Sequence, residues 1–365
     1  MPPPSGGMAL QAKLLEKSLR ADGHTVIFFA SNLPFPRFIA WLERVPIVRT
    51  GVRAILIWMK VWKLVRQVDV IHVLAASWVY FFIVVCPVVI AARVCGRRVV
   101  LNYRGGEAER FFSVWAPLVG PIFRMASAVT APSGFLAEII WRSFRVPVQV
   151  VPNILDTSTF KFRARPVFQP RFLVTRNLDK CYGVDVVLET FRVVQEKYPD
   201  ATLWIAGSGS EEAGLRRLAA EWKLKGVRFL GHVAQCDLPA VYDECDIYLN
   251  ASRVDNFPGA LMEASASGLA IVSTRAGGIP AMYESGKSAL LVPVDDFRAL
   301  TLAVERLLQE PSLGGRLTHE AAAMVRRCHW DHARVALYKA YGFSGNAGLP
   351  ATMTGTCNAS TGSPR

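Results

Sequence analysis

Two Rossmann-like, doubly wound parallel-sheet α/β domains facing a central cleft are the architecture that this 365-residue chain predicts. Three observations carry that expectation. The chain is longer than one ordinary hydrophobic core serves, which suggests two domains. Short runs rich in Val, Ile and Leu alternate with helix-length segments along its length, the pattern of strands buried on both faces of a parallel sheet. The alternation breaks at a basic, turn-rich linker, "STFKFRARPVFQP" (158–170), and then restarts.

Taken in order, the first set of strands reads "HTVIFFA" (24–30), "VDVIHVLA" (68–75), "RRVVLNY" (97–103), "ASAVTAPS" (126–133) and "VQVVPN" (148–153). Between the first two lies "GVRAILIWMKVWKLVRQ" (51–67), where Arg53, Lys60, Lys63 and Arg66 interleave with Ile55, Ile57, Trp58, Val61, Trp62 and Val65. Such a helix either packs on a sheet or lies among lipid headgroups. The run "WVYFFIVVCPVVIAA" (78–92) is shorter than the ~20 residues that span a bilayer and contains Pro87, so it predicts a buried helix. After the linker come "RFLVTRN" (171–177), "ATLWIAGSG" (201–209), "VRFLGHV" (227–233), "CDIYLNAS" (245–252), "LAIVST" (269–274) and "SALLVPV" (288–294). The last 22 residues are small, polar and turn-prone and read as a disordered tail, 344–365, in which the Asn358 sequon is a chance match.

Composition narrows the function. Hydrophobic residues make up 52% and charged residues 19%, a globular balance. The seven cysteines (86, 95, 181, 236, 245, 328, 357) are scattered with no C-x-x-C spacing, which excludes a zinc site or disulfide framework and reads as buried thiols in a reducing compartment. The first 150 residues hold 18 Lys and Arg against 7 Asp and Glu, so +11 of the chain's +13 sits there and an anionic partner is expected. No zinc finger, helix-turn-helix or aromatic-basic RNA signature occurs, so nucleic acid is not that partner. The opening "MPPPSGG" is no secretory signal and points to a cytoplasmic protein, peripheral at the inner face of a membrane if the basic half meets lipid.

The chemistry concentrates in "DNFPGALMEASASGLAIVSTRAGGIP" (255–280). Pro258 suits the first position of a short helix, with Asp255 or Asn256 as cap and Gly268 as its left-handed end. The free N–H groups and positive dipole end at Asn256, Phe257, Gly259 and Ala260 suit a phosphate. Glu263, in the second turn, then suits a sugar hydroxyl, and Asp255 the hydroxyls of a second sugar. Together they describe a sugar nucleotide; taken alone, the same residues also read as a cap and a surface acid.

This stretch resembles the E-x7-E region of retaining GT-B glycosyltransferases of family 4, also called glycosyl transferases group 1. Further similar stretches run in order along nearly the whole chain, among them "PPSGGMALQAKLLEKSLRADGHTV", "NYRGGEAERFF", "APSGFLAEI", "VPNILDTSTFKFR", "RNLDKCYGVDVVLETF", "LWIAGSG" and "LPAVYDECDIYLNAS". The resemblance implies a GT-B fold with an acceptor domain over 1–160, a nucleotide-sugar donor domain over 161–326 and a helix, 327–343, packing back on the first domain. It implies Glu263 on the nucleotide ribose and Asp255, where the family has Glu, on the donor sugar. It implies Arg176 on the diphosphate. The family's lysine position is Tyr182 here, with Lys180 two residues early as a candidate point charge. The turn at Gly207 and Gly209 and the backbone at His232 and Val233 would face the nucleotide. Gly6 and Gly7 match a glycine loop facing the donor phosphates, although the strand that normally precedes it is missing, which implies an upstream start or an impaired product. Arg104 stands where many relatives carry His, facing the acceptor or the leaving phosphate.

The implied reaction is transfer of a sugar, with retention, from a nucleotide-diphosphate sugar to an acceptor hydroxyl of a glycan or lipid-linked molecule, in polysaccharide, glycolipid or cell-envelope glycan synthesis. No D-x-D triplet occurs, so the expectation is no metal and no cofactor beyond the donor itself. The rival readings are a sugar-nucleotide epimerase or phosphorylase of similar architecture and a catalytically degenerate membrane-surface scaffold.

Overall fold

The computed structural model describes residues 6–31 and 46–343. The first half runs α1 (Gly7–Ala21), α2 (Pro46–Val65), β1 (Val70–Ala75), a π-helical stretch (Phe81–Val85) continuous with α3 (Cys86–Val94), β2 (Arg98–Tyr103), α4 (Ala108–Met125), β3 (Ala128–Ala131), α5 (Gly134–Phe144) and β4 (Val148–Val150). The second runs β5 (Arg171–Thr175), a 3-10 turn (Lys180–Tyr182), α6 (Val184–Lys197), β6 (Thr202–Ala206), α7 (Glu212–Glu221), β7 (Val227–Gly231), α8 (Leu238–Glu244), β8 (Ile247–Asn250), α9 (Gly259–Ala266), β9 (Ala270–Thr274), α10 (Ile279–Met282), β10 (Leu290–Val292), α11 (Phe297–Gln309), α12 (Pro311–Arg326) and α13 (Trp330–Tyr341).

The strands form two parallel sheets, β1-β2-β3-β4 and β10-β9-β8-β5-β6-β7. The two-residue period of the strands sorts side chains between the faces of the second sheet. Phe172, Val174, Ile247, Leu249 and Val272 enter one core with α6 and α11, while Leu173, Tyr248 and Ile271 enter the other with α9. Helices therefore cover both faces. The last helix, α13, leaves the second half and lies on the first sheet, where Leu337, Tyr338 and Tyr341 pack with Leu19, Val100 and Val151.

The linker is fastened by charge. Asp246, fully buried at the start of β8, accepts from Arg165 Nε at 2.9 Å and Arg171 Nη2 at 2.9 Å. A buried carboxylate needs such partners, and here they tie the linker to the second sheet.

Two expectations are corrected. Residues 24–30 form no strand: among the described residues β1 pairs only with β2, and this apolar run does not take its other edge. Val26 packs against the α1–α13 cluster and Phe29 against the core of the first sheet. Of the described cysteines only Cys245 and Cys328 are buried; Cys181 and Cys236 are exposed and Cys86 and Cys95 intermediate. Cys181 and Cys236 sit in polar loop sequence, beside Asp179 and Lys180 and between Gln235 and Asp237, and those loops face outward. The residue Cys357 and the 344–365 tail lie outside the described residues, as does the start at 1–5. The 78–92 run is a buried helical segment, and no helix among the described residues is long and apolar enough to cross a membrane. On α2, Ile57, Val61 and Val65 are buried, leaving Ile55, Trp58 and Met59 exposed beside Lys60 and Lys63.

Candidate functional site

In the second sheet the chain moves outward from β5 through β6 to β7, then returns to the other side of β5 with β8 and continues through β9 to β10. The loops leaving the carboxyl ends of β5 and β8 consequently diverge, and such a reversal of strand order opens a crevice where ligands of parallel α/β sheets bind. Arg176 follows β5 and Asp255 follows β8, one on each lip.

Arg176 and Asp255 form an ion pair, and Arg176 Nη2 also donates to Ser252 Oγ at 3.1 Å. Its guanidinium lies 4.4 Å from the centre of the Tyr182 ring, so the residue at the expected lysine position supplies a π face instead of a second charge. Burial works against the Arg176 cation, but the Asp255 carboxylate together with Tyr248 and Tyr182 outweighs it and holds the pKa above the ordinary arginine value. One guanidinium nitrogen, Nε, is buried without a partner. The backbone that carries Arg176 is propped from behind by the glycine turn after β6. A Cβ on Gly207 would stand 1.9 Å from the Arg176 carbonyl oxygen, and one on Gly209 would stand 2.5 Å from the Leu178 carbonyl. Those two glycines, candidates for contact with the nucleotide, are thus required first by a close backbone approach.

The 255–280 stretch is built in the same way. Gly277, at φ +50°, and Gly278 press against the carbonyls of Asp255 and Asn256, where Cβ atoms would come within 2.1 and 2.0 Å, and Gly278 N donates to Asp255 O at 2.8 Å. The Gly-Gly turn therefore fixes the loop that presents Asp255. The helix α9 begins at Gly259 and not at Pro258, which is the N-cap in extended conformation at φ −69°, ψ 115° and offers no side-chain cap. Neither Asp255 nor Asn256 caps it, since Asp255 is drawn to Arg176 and the Asn256 amide donates to Gly105 O at 2.6 Å. The first N–H groups of α9, at Gly259 and Ala260, have no intrahelical acceptor and point toward the crevice end of the helix. Gly268, at φ +77°, closes the helix as its left-handed residue.

Glu263 is buried one turn inside α9. Gln235 Nε2 donates to its Oε1 at 3.1 Å and the Tyr242 hydroxyl to its Oε2 at 2.9 Å. Burial raises its pKa, opposed by those two hydrogen bonds and by the Arg176 charge. Tyr242 is itself set by Thr175, whose Oγ1 lies 2.6 Å from the Tyr242 hydroxyl at the end of β5. A buried, oriented carboxylate at the inner end of a crevice is suited to accepting hydrogen bonds from a diol.

The first half meets this loop through two polar links, from Asn153 and at Gly105, with Arg104 bonded to the first of these. Arg104, after β2, donates to Asn153 Oδ1; Asn153 Nδ2 donates to Phe257 O at 3.1 Å; and Asn256 reaches Gly105. Burial alone lowers the Arg104 pKa, to about 10. Gly6 and Gly7 start α1 with open space around them, since a Cβ on either would meet nothing within 4 Å. His232 is exposed and Val233 half-buried after β7, where Gly231 O accepts from Gly207 N at 2.7 Å. The Lys180 side chain is exposed on the 3-10 turn, while its carbonyl accepts from Arg253. The geometry thus gathers Arg176, Asp255, Glu263, Asn256, Phe257, Gly259 and Ala260 in one crevice and sets Arg104 against it. It leaves Lys180 and His232 as exposed loop residues. Tyr242, Gln235, Ser252 and Asn153 complete the site without having been singled out in the sequence. Their partners lie far away along the chain, and nothing local marks them.

Residues 5–159 match the model of Glycosyltransferase Family 4, and residues 169–310 match that of Glycosyl transferases group 1. The putative colanic acid biosynthesis glycosyltransferase WcaL of Escherichia coli is 33% identical over 178 residues, 46% of this chain and 42% of the relative. The amylovoran biosynthesis glycosyltransferase AmsK of Erwinia amylovora is 32% identical over 222 residues, 58% of this chain and 52% of the relative. The chain spans about half the length of these curated relatives. Among solved structures, sucrose-phosphate synthase from Thermosynechococcus elongatus superposes with a TM-score of 0.72 at 18% identity, covering 92% of this chain and 93% of that one. Anabaena Alr3699/HepE in complex with UDP and glucose gives 0.70 at 17%, covering 93% and 96%. At these identities the likeness is one of fold.

Proposed function

We propose that this chain, whose two halves match the models of Glycosyltransferase Family 4 and Glycosyl transferases group 1 in turn, is a GT-B glycosyltransferase that transfers a sugar from a nucleotide-diphosphate sugar to an acceptor hydroxyl. The proposal extends to retention of anomeric configuration, to independence from metal and cofactor, and to an acceptor in polysaccharide, glycolipid or cell-envelope glycan synthesis. One observation carries it: the strand-order reversal between β5 and β8 puts a buried arginine, the open amide end of α9 and a buried, oriented glutamate into the same crevice.

In this reading the diphosphate lies at the α9 amides and takes the Arg176 guanidinium, whose planar fork matches phosphate oxygens. Arg176 then exchanges Asp255 for the ligand, and the freed Asp255 carboxylate turns to hydroxyls of the donor sugar. Glu263, already aligned by Tyr242 and Gln235, accepts from the ribose. As the glycosidic bond breaks, negative charge grows on the leaving diphosphate, and groups placed beforehand stabilise it without reorganising. Arg104 waits on the opposite wall.

The exposed Ile55, Trp58 and Met59 of α2, beside Lys60 and Lys63, favour a second element of the proposal: contact of the basic first half with an anionic membrane surface, at the inner face. Incubation with a panel of radiolabelled sugar nucleotides tests the main reading. Release or transfer of one sugar is expected. Failure to hydrolyse or transfer any of them, with and without added membranes, refutes it.

A further inference from the structure

The β5 and β8 strands pair at two register positions, Phe172 with Ile247 and Leu173 with Tyr248, although β5 stays with β6 as far as Thr175 and β8 with β9 as far as Asn250. Beyond Leu173 the two strands separate and the crevice begins. Arg176 N donates to Ala206 O at 3.1 Å, toward β6, so the alternation of a strand turns the N–H and C=O of Thr175 toward β8, where the shared register has already ended. Backbone groups withdrawn from water need partners. One side chain supplies them: the Tyr248 hydroxyl accepts from Thr175 N at 3.2 Å and lies 3.3 Å from Thr175 O and 3.1 Å from Thr175 Oγ1.

From there a line of hydroxyls runs inward. Thr175 Oγ1 lies 2.6 Å from the Tyr242 hydroxyl, and Tyr242 donates to Glu263 Oε2 at 2.9 Å. With that proton committed to the carboxylate, the Thr175 hydroxyl donates to Tyr242, and the Tyr248 hydroxyl in turn donates to Thr175. Burial raises the pKa of both tyrosines, so each keeps its proton. Every donor thus points along the line toward Glu263, an order in which each bond polarises the next. Both tyrosines are fully buried, their rings stacked 6.1 Å apart in the core that holds Leu173, Leu261 and Ile271. Phenylalanine would fill that space and bury no polar atom. The hydroxyls are explained by what they connect: Thr175 adjoins Arg176 on one lip of the crevice, and Glu263 lies in α9 beyond the other.

We propose that Thr175 and Tyr248 are positioning residues that, through Tyr242, hold Arg176 and Glu263 at the spacing which one nucleoside diphosphate spans. The inference rests on the glycosyltransferase reading and deepens it by naming what registers the two grips against each other. Elsewhere in the sheet a backbone ladder fixes the relative height of groups on neighbouring strands. At the reversal between β5 and β8 the ladder has ended, and the hydroxyl line takes its place. A ligand that touches both Arg176 and Glu263 senses their spacing, because its own covalent frame must match it; a ligand that touches only one of them does not.

The test compares three ligands on the full chain by ligand-observed NMR, which reads weak affinities. UDP spans the two residues, uridine reaches Glu263 alone, and inorganic pyrophosphate reaches Arg176 and the α9 amides alone. Tyr248→Phe and Thr175→Val should each weaken UDP about tenfold while leaving uridine and pyrophosphate within about twofold of wild type. Thr175→Ser, which keeps the hydroxyl, should bind all three as wild type does. Equal losses for the three ligands would mean a general loosening of the fold. Unchanged UDP binding in Tyr248→Phe or Thr175→Val, or a Thr175→Ser as weak as Thr175→Val, would mean that the hydroxyls set no spacing. Each of these outcomes overturns the inference, as does a wild type that takes UDP but neither fragment. Should Tyr248→Phe not fold, the two Thr175 variants decide by themselves. If wild type binds none of the three ligands, the donor-site reading falls and takes this inference with it, whereas UDP binding that ignores the variants removes this inference alone.

Discussion

Arg176→Met removes the cation of an ion pair in which the two side chains keep only 11% and 12% of their exposure. At that burial solvent does little to compensate, and removing one partner strands the Asp255 carboxylate at a cost of about 3–5 kcal/mol. The same substitution forfeits the bond to Ser252 and the stack on Tyr182, about 1 kcal/mol more. The loss is local, on the loops after β5 and β8. Amide exchange is therefore the appropriate assay, followed by mass spectrometry in peptides covering 171–178 and 247–257. A destabilisation of about 3 kcal/mol corresponds to ~150-fold faster opening. In Arg176→Met/Asp255→Asn the stranded charge is gone, and protection should recover by about 2 kcal/mol, or ~30-fold. If the double variant exchanges as fast as Arg176→Met, the pair is not coupled and the electrostatic account of the crevice is wrong.

Three further outcomes are expected. Tyr242→Phe deletes the hydroxyl that donates to Glu263 at 2.9 Å, and isothermal titration should show nucleotide affinity reduced about tenfold, with stability down by about 1–3 kcal/mol; unchanged affinity speaks against Tyr242 as the group orienting Glu263. Because burial raises the folded-state pKa of Glu263 above its ordinary 4.5, its contribution to stability is whole below 4.5 and is lost as pH rises through the folded value. Glu263→Gln should accordingly gain on wild type in urea midpoint as the pH climbs from 4.5 toward 7, and a gap that stays constant or closes contradicts this. Gly278→Ala, whose Cβ would stand 2.0 Å from the Asn256 carbonyl oxygen, should shift the loop that presents Asp255, costing more than about 2 kcal/mol by thermal unfolding; a variant as stable as wild type shows that the loop is not wedged there.

Much of the fold was legible because its strands are buried on both faces. Runs such as "RFLVT" and "AIVST" hold three consecutive apolar residues and are separated by helix-length segments, and each lies in a sheet as expected. Residues 24–30 have the same composition and form no strand. Composition reports burial, whereas a strand needs a neighbouring backbone, and that depends on residues distant in sequence. The site divides in the same way. Arg176, Asp255 and Glu263 are marked by residue type and by position at the ends of strands or within a glycine-bounded helix. Tyr242 is an ordinary tyrosine on a short helix until the fold brings Glu263 and Thr175 to its hydroxyl. Gly207 and Gly209 show the converse limit, since their turn is visible in sequence but the backbone they admit, that of Arg176 and Leu178, is not. Pro258 reads as the first helical residue but is the N-cap, because its fixed φ is compatible with both positions.

The central claim is spatial, and a crystal structure of the protein soaked with UDP tests it most directly. The account predicts the diphosphate at the amides of Gly259 and Ala260 with Arg176 turned from Asp255 onto it, and the ribose hydroxyls on Glu263. Nucleotide bound elsewhere, with Arg176 still paired to Asp255 and Glu263 still closed by Tyr242 and Gln235 alone, would contradict it.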